Sequence, residues 1–96
     1  MDPIERAAKI KSDLFTLGYS LADVDREYGL AKRSTADALR NPNRPAEKAI
    51  ADALGVKPHE LFPERYNKAG RRLTPQSRVN YRRPSTMAQR RNGEAA

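Results

Sequence analysis

The chain has 96 residues, a formal net charge of +7 and no cysteine. This length allows one small domain with any surplus in tails, and the lack of cysteine excludes disulfides, cysteine-ligated zinc and thiol catalysis. No apolar run approaches the length of a membrane-spanning helix and no signal-peptide pattern opens the chain, so we expect a soluble, cytoplasmic protein.

The first predicted helix begins at Asp2, with Pro3 at its first position and Glu5 closing a capping box. Gly18 is expected to end it. The predicted core-facing stripe of this helix consists of Ala7, Ile10, Leu14 and Leu17, and Phe15 makes the stripe wider.

Residues 20–41 predict two short helices that meet at a glycine. Ser20 and Asp23 form a second capping box, and Gly29 follows the last periodic residue of the first of these helices. A helix, a glycine turn and a second helix form the helix-turn-helix arrangement of DNA-binding proteins. The inner stripes are Leu21, Val24 and Tyr28 in one helix, and Ala31, Thr35, Ala38 and Leu39 in the other.

The outer face of the second helix is polar, because Arg33 and Asp37 project opposite the inner stripe with Ala36 and Arg40 beside them. Such a face is suited to entering a DNA groove. The alternative is an ordinary helical hairpin whose charges are only solvated.

Two positions depart from the usual helix-turn-helix pattern. Asp25 stands where a small residue is usual, and Thr35 stands where an apolar residue is usual. Because these positions face each other in the motif, we expect a hydrogen bond between the carboxylate and the hydroxyl. The start of the second helix stays open between Ala31 and a later start capped by Ser34 with Asp37.

Two further helices complete the predicted domain. A turn with two prolines follows residue 41, and the next helix shows the clearest amphipathic pattern in the chain. The last helix opens near Pro58 and stops at Pro63. The sequence therefore predicts an all-α domain of five short helices over residues 1–66.

Residues 67–96 are predicted to be a disordered, Arg-rich tail. Residues 1–62 carry 10 basic and 10 acidic residues, whereas residues 63–96 carry 9 basic and 2 acidic ones. Leu73 and Val79 are the only Leu, Ile, Val or Phe residues in residues 63–96. This stretch therefore has too little apolar area to offset the entropy that the chain would lose on folding. The three Arg-Arg pairs of the tail suggest an arm that binds phosphates.

Residues 4–66 resemble a known family. The residues that carry the resemblance are Ser20-Leu21, Tyr28-Gly29, Ala36-Asp37-Ala38-Leu39, Ile50-Ala51-Asp52-Ala53-Leu54, Lys57-Pro58 and Pro63-Glu64-Arg65-Tyr66. They are similar to the λ-repressor-like five-helix fold and, more narrowly, to the Ner family of Mu-like phages, the Ner-like winged helix-turn-helix regulators. The resemblance implies a small regulator that binds operator DNA and represses phage early or transposition genes.

The predicted DNA contacts fall into two groups. Arginine at the outer face can make two hydrogen bonds to guanine, and a carboxylate can accept from a cytosine amine. The predicted base contacts are Lys32, Arg33, Ser34 and Asp37. The predicted phosphate contacts are Ser20, Arg40, Asn41, Asn43, Arg44, Arg71 and Arg72. For Asp37, an exposed ion pair with Arg33 is an equally good interpretation.

No catalytic, cofactor or metal constellation is present in the sequence. The single histidine, His59, is expected to be a solvated surface residue, and one histidine without cysteine cannot build a usual transition-metal site. We expect a non-enzymatic protein whose partner is double-stranded DNA, as a monomer or weak dimer that pairs on DNA. Two alternatives stay open: a non-specific RNA-binding, DNA-binding or nucleoid-type protein driven by the tail, and a protein-interaction module of a transposition complex.

Overall fold

The computed structural model of the protein describes residues 2–81. Five α-helices are present there, together with two short 3-10 turns and one isolated antiparallel bridge between Tyr66 and Arg72, and no helix of this part is long and apolar enough to cross a membrane. The predicted all-α class with five helices is confirmed. The helices are α1 (Pro3–Thr16), α2 (Leu21–Glu27), α3 (Ser34–Ala38), α4 (Arg44–Leu54) and α5 (Pro58–Leu61), and the 3-10 turns span Pro63–Arg65 and Arg78–Asn80.

Helix α4 lies at the centre of the fold, where it contacts α1, α2, α3 and α5. Its predicted amphipathic stripe is confirmed, since Ala46, Ala49 and Ile50 are buried. The alanines allow neighbouring helices to approach closely, and the lack of larger side chains keeps the core small. The buried apolar residues packed around them are Ile10, Leu14, Val24, Ala38, Leu39 and Phe62.

Helix α1 begins where predicted, with the Asp2 carboxylate accepting a hydrogen bond from the amide of Ile4 at 3.0 Å, but Glu5 does not close the predicted capping box. Its predicted core stripe is wrong at the carboxyl end, where Phe15 is 81% exposed and Leu17 is 54% exposed. Phe15 lies about 100° around the helix from the buried Leu14 and so faces solvent. Leu17 lies beyond the last helical residue, where the chain is already turning.

Residues 67–81 fold against the helical domain, which differs from the predicted domain boundary at residue 66. The side-chain amide of Gln76 donates to the carbonyl oxygen of Arg65 at 2.9 Å. The amide of Asn80, which is only 8% exposed, donates to the carbonyl oxygen of Glu64 at 3.0 Å. The apolar area of this segment did not predict whether it folds, because side-chain amides hold it by hydrogen bonds to main-chain carbonyl oxygens. The prediction for residues 82–96 lies outside the described residues.

A buried ionic cluster ties this segment to the helices. The Glu47 side chain has no exposed surface, and its Oε2 accepts from the Asn43 amide at 2.6 Å and from Arg65 Nη1 at 3.1 Å. Its Oε1 accepts from the Tyr66 hydroxyl at 2.9 Å and from the Arg72 guanidinium. Each carboxylate oxygen therefore has two donors, as a buried charge requires.

Arg65 extends the cluster to the end of α3. Its Nη1 donates to the carbonyl oxygen of Ala38 at 2.6 Å, and the ring of Phe62 lies under the guanidinium at 4.3 Å. Burial lowers the pKa of Arg65 and the charge of Glu47 opposes that effect. Burial raises the pKa of the Tyr66 hydroxyl, and the charge of Glu47 adds to that rise. We call Glu47, Arg65, Tyr66 and Arg72 the Glu47 cluster.

Replacing Glu47 with Gln should destabilise the protein by about 3–5 kcal/mol, because it leaves the buried Arg65 guanidinium without its main counter-charge. The free energy of unfolding from urea titration measures this cost. The matched control is Asp13→Asn, which breaks the exposed Lys9–Asp13 pair of α1 at 2.7 Å and should cost less than about 1 kcal/mol. Equal costs for the two variants would show that the Glu47 cluster is not a structural centre.

Candidate nucleic-acid interface

The first helix of the helix-turn-helix starts as predicted. The Ser20 Oγ accepts from the Asp23 amide at 3.1 Å, and the Asp23 Oδ2 accepts from the Ser20 amide at 2.8 Å, which completes the capping box. These hydrogen bonds to Ser20 lower the pKa of Asp23. Gly29, at φ 64°, supplies the left-handed backbone that ends the turn after α2.

Helix α2 is also joined to α4 by a side-chain hydrogen bond. The Tyr28 hydroxyl donates to Oδ2 of Asp52 at 2.6 Å. That bond, with a smaller contribution from burial, raises the pKa of Tyr28 to about 12. Tyr28 was predicted to belong to the inner stripe of α2, but it is 38% exposed, because its phenol reaches across the surface to α4.

Asp25 and Thr35 face each other, but the predicted bond between their side chains is wrong. The Asp25 carboxylate instead accepts from two backbone amides, that of Thr35 at 2.9 Å and that of Arg33 at 3.1 Å. The Thr35 hydroxyl donates to the carbonyl oxygen of Leu21 at 3.0 Å. A carboxylate from α2 therefore caps the start of α3 from outside the helix, and both buried polar side chains are satisfied.

The second helix of the motif begins at Ser34, the later of the two predicted starts. No side chain of its own caps it, since the capping residue by position is Arg33. Arg33 has φ 69° and is the one non-glycine residue of the described chain with a positive φ. This conformation accompanies the two amide bonds to Asp25, which replace a local cap.

The surface around α3 is polar and accessible, but the predicted placement of Arg33 within the helix is wrong, because Arg33 precedes its first residue. Lys32, Arg33 and Arg40, which flank α3, are exposed, as is Asp37 within it, and Ser34 is half-buried. Between residues 2 and 81, no ion pair engages any of the three basic residues. Their charges therefore remain available to a polyanion.

Asp37 is held by amides and makes no ion pair with Arg33 in the part of the chain that the structure describes. Its Oδ1 accepts from Asn41 Nδ2 and its Oδ2 accepts from Asn43 Nδ2, each at 3.2 Å. Asn43 also caps α4, with its Oδ1 accepting from the Ala46 amide at 3.3 Å. The side chains of Asn41 and Asn43, both predicted to contact phosphate, are thus bonded to Asp37, and Asn43 also joins α3 to α4.

Some of the remaining predicted phosphate contacts are exposed and others are engaged inside the protein. The guanidinium of Arg72, predicted to contact phosphate, lies in the Glu47 cluster with only 18% of the side chain exposed. Arg44 and Arg71 are exposed. Ser20 is exposed as well, although its hydroxyl oxygen already accepts the capping bond.

A groove of about 310 Å³ separates α3 from α1. Lys11, which the sequence did not predict as a contact, lines this groove together with the predicted base contacts Arg33 and Asp37. Only the tertiary packing of α1 against the domain could reveal this proximity, although the exposed position of Lys11 one turn after Ala7 was readable. The groove is lined by Ala7, Lys11, Arg33, Ala36, Asp37, Leu39, Arg40 and Asn41.

The described residues contain no group of His, Asp or Glu side chains that could hold a metal ion. His59 differs from its prediction as a solvated residue, since it is half-buried. Its ring lies against Gly70, where an added Cβ would meet the ring nitrogen Nδ1 at 3.2 Å. His59 therefore has a packing role beside the turn that precedes Arg72.

Comparisons with known proteins agree with this geometry. Residues 6–78 match the family described as winged helix-turn-helix DNA-binding. The chain is 39% identical over 59 residues to the "Negative regulator of transcription" of Escherichia phage D108, covering 62% of this chain and 81% of that protein. It is 38% identical over 60 residues to "Sugar fermentation stimulation protein B" of Escherichia coli K12, covering 62% of this chain and 65% of that protein. No solved structure matches the chain at a significant level.

Replacing Asp25 with Ala should destabilise the protein by about 1–3 kcal/mol and speed the exchange of the Thr35 amide, because two backbone donors lose their acceptor. Thr35→Val is the matched comparison: it removes the hydroxyl bond to Leu21 but keeps both amide bonds, and should cost about 1 kcal/mol or less. Urea titration and hydrogen exchange measure both effects. A Thr35→Val variant that loses more stability than Asp25→Ala would contradict the capping role of Asp25.

Proposed function

The chain belongs to the winged helix-turn-helix DNA-binding family, and on that premise we propose that it is a sequence-specific transcriptional regulator. We propose further that it represses early or transposition genes of a phage or prophage, acting on double-stranded DNA in the host cytoplasm. The named phage relative, a negative regulator of transcription, supports this direction of regulation. The observation that carries the proposal is the exposed outer face of α3, with Asp25 capping the start of the helix and Asn43 bonded to Asp37.

In this proposal α3 enters the major groove and its outer face reads base edges. Arg33 donates two hydrogen bonds to guanine, and Asp37 accepts from a cytosine amine. Lys32 and Ser34 contact neighbouring bases. The amide bonds that Asn41 and Asn43 make to Asp37 fix the direction of its carboxylate, which favours one hydrogen-bonding pattern over others.

The backbone contacts then come from residues around this face. Arg40, Arg44 and Arg71 are exposed, so we retain them as phosphate contacts, together with Ser20 and its helix start. Asn43 and Arg72 act instead as internal supports. The basic residues between 82 and 96 would add affinity without sequence information. We propose a monomer that pairs on DNA.

The left-handed backbone of Arg33 fits the role of a base reader. A non-glycine residue in this conformation costs about 1–2 kcal/mol, and such strain is usual where a side chain must be aimed for function. Glycine at residue 33 would relieve most of the strain but would remove the reader. The conformation therefore supports a functional reason for arginine at this place.

Selection from random duplex DNA followed by footprinting tests the proposal. The wild-type protein should select a defined site, whereas uniform protection would indicate a nucleoid-type protein and no binding would indicate a protein-interaction module. Arg33→Ala should relax the selection at particular base pairs and weaken binding to the selected site by about 1–3 kcal/mol, with much less effect on random DNA.

Arg33→Gly is the control that separates strain from reading. It should lose the same discrimination as Arg33→Ala, yet be more stable than that variant by up to about 1 kcal/mol, because glycine adopts a positive φ without strain. An equal loss of affinity on selected and random DNA in either variant would reduce Arg33 to a phosphate contact.

A further inference from the structure

We propose that the groove between α1 and α3 seats the sugar-phosphate backbone of one DNA strand, with Lys11 and Arg40 as the cations that contact its phosphates. The inference rests on the proposed function and deepens it, because it assigns a contact to α1, outside the helix-turn-helix. It makes α1 one wall of the interface and fixes which flank of α3 lies next to a DNA strand.

The charge of the groove fits a polyanion. Lys11 from one wall and Arg33 and Arg40 from the other are its basic lining residues. The ion pairs of the described chain engage other cations and leave these three unpaired. Phosphates can therefore replace water around Lys11 and Arg40 without breaking an internal bond, and the charge of Arg33 adds to the positive field beside them.

The single acidic residue of the lining does not cancel this charge. Asp37 lies in the groove, but both of its carboxylate oxygens already accept hydrogen bonds from the side-chain amides of Asn41 and Asn43. The groove lining therefore has three positive charges and one negative charge, and the carboxylate that carries the negative charge is already hydrogen-bonded to those amides. The net positive charge at this position favours a phosphodiester strand, which carries a negative charge at every linkage.

The shape of the groove also fits a strand. Its lining includes the small side chains of Ala7 and Ala36 and the nearly buried Leu39, which is 6% exposed. Small apolar residues let a backbone approach and give the deoxyribose an apolar surface to rest on. A second hollow of about 440 Å³ lies along α1 and shares Ala7, Lys11, Leu39 and Arg40 with the first. Lys11 and Arg40 therefore line both hollows.

The sequence offers a matched pair of lysines for the test. Lys11 borders the groove, whereas Lys9, two residues earlier on α1, lines a different hollow and pairs with Asp13. Lys11→Gln and Lys9→Gln make the same change of charge on the same helix. Both positions are exposed and glutamine has a similar helix propensity, so circular dichroism should show both variants folded.

Salt titrations of full-length wild type, Lys11→Gln, Arg40→Gln and Lys9→Gln on the selected duplex give the first measurement. Each lost phosphate contact should reduce the slope of log affinity against log salt by about 0.9. We expect that reduction for Lys11→Gln and for Arg40→Gln, about twice as much for the double variant, and none for Lys9→Gln. The base preference of each variant should match that of the wild type.

A neutral methylphosphonate placed at one linkage after another along the selected site gives the second measurement. At one or more linkages beside the base pairs read by α3, the methylphosphonate should weaken binding of the wild type and leave the affinity of Lys11→Gln unchanged. The inference is overturned if Lys11→Gln keeps the wild-type salt slope, if Lys9→Gln lowers the slope equally, or if every linkage keeps its effect in Lys11→Gln. The proposed function survives each of these results, since only a failure to select a site would refute it.

Discussion

The buried carboxylate of Glu47 determines how the separate segments of this small domain are placed. It lies in the first turn of α4 and accepts from the amide that precedes that helix, from Arg65 and Tyr66 after α5, and from Arg72 across the isolated bridge. Replacing such a buried ion pair with apolar residues is often neutral for stability, whereas removing one partner is costly. We infer that Glu47 serves chiefly to select one arrangement of segments that the few core residues alone would leave underdetermined.

The recognition helix shows why that constraint matters. Helix α3 has only five residues, far fewer than an isolated helix needs to form. Its start is capped by Asp25, its middle is tied to α4 by Asn43, and the carbonyl oxygen of Ala38 at its end accepts from Arg65. All three supports come from outside the helix, two at its ends and one at the side chain of Asp37. The outer face is thereby held in place and left exposed at the same time.

Much of the architecture was readable in the sequence because it rests on local patterns. The capping box of α2, the glycine after α2 and the amphipathic stripe of α4 follow from spacing alone. The partners of Asp25 and Arg72 did not follow, because each pairs with a residue brought near only by the tertiary fold. Their residue types were correctly noticed, one as a misfit in the motif and one as a cation, but neither type reveals its partner.

The carboxyl-terminal segment was misjudged for a related reason. Counting Leu, Ile, Val and Phe measures the apolar area available for a core, but the segment after residue 66 is held by Gln76 and Asn80 through main-chain carbonyls. Polar anchors of this kind carry no periodic signal. The position of Lys11 was likewise hidden, since the groove that it borders exists only once α1 has packed beside α3.

The most direct test of α3 as the reading element is the change of amide chemical shifts when the isotopically labelled full-length protein is titrated with its selected duplex. If the outer face of α3 enters the DNA, the largest changes fall on residues 32–37 and 40, with smaller ones at Lys11. The amides of α5 and of residues 15–17 at the end of α1 should shift little. Large changes confined to α5 or to residues 15–17, with α3 unaffected, would contradict the assignment of the DNA interface.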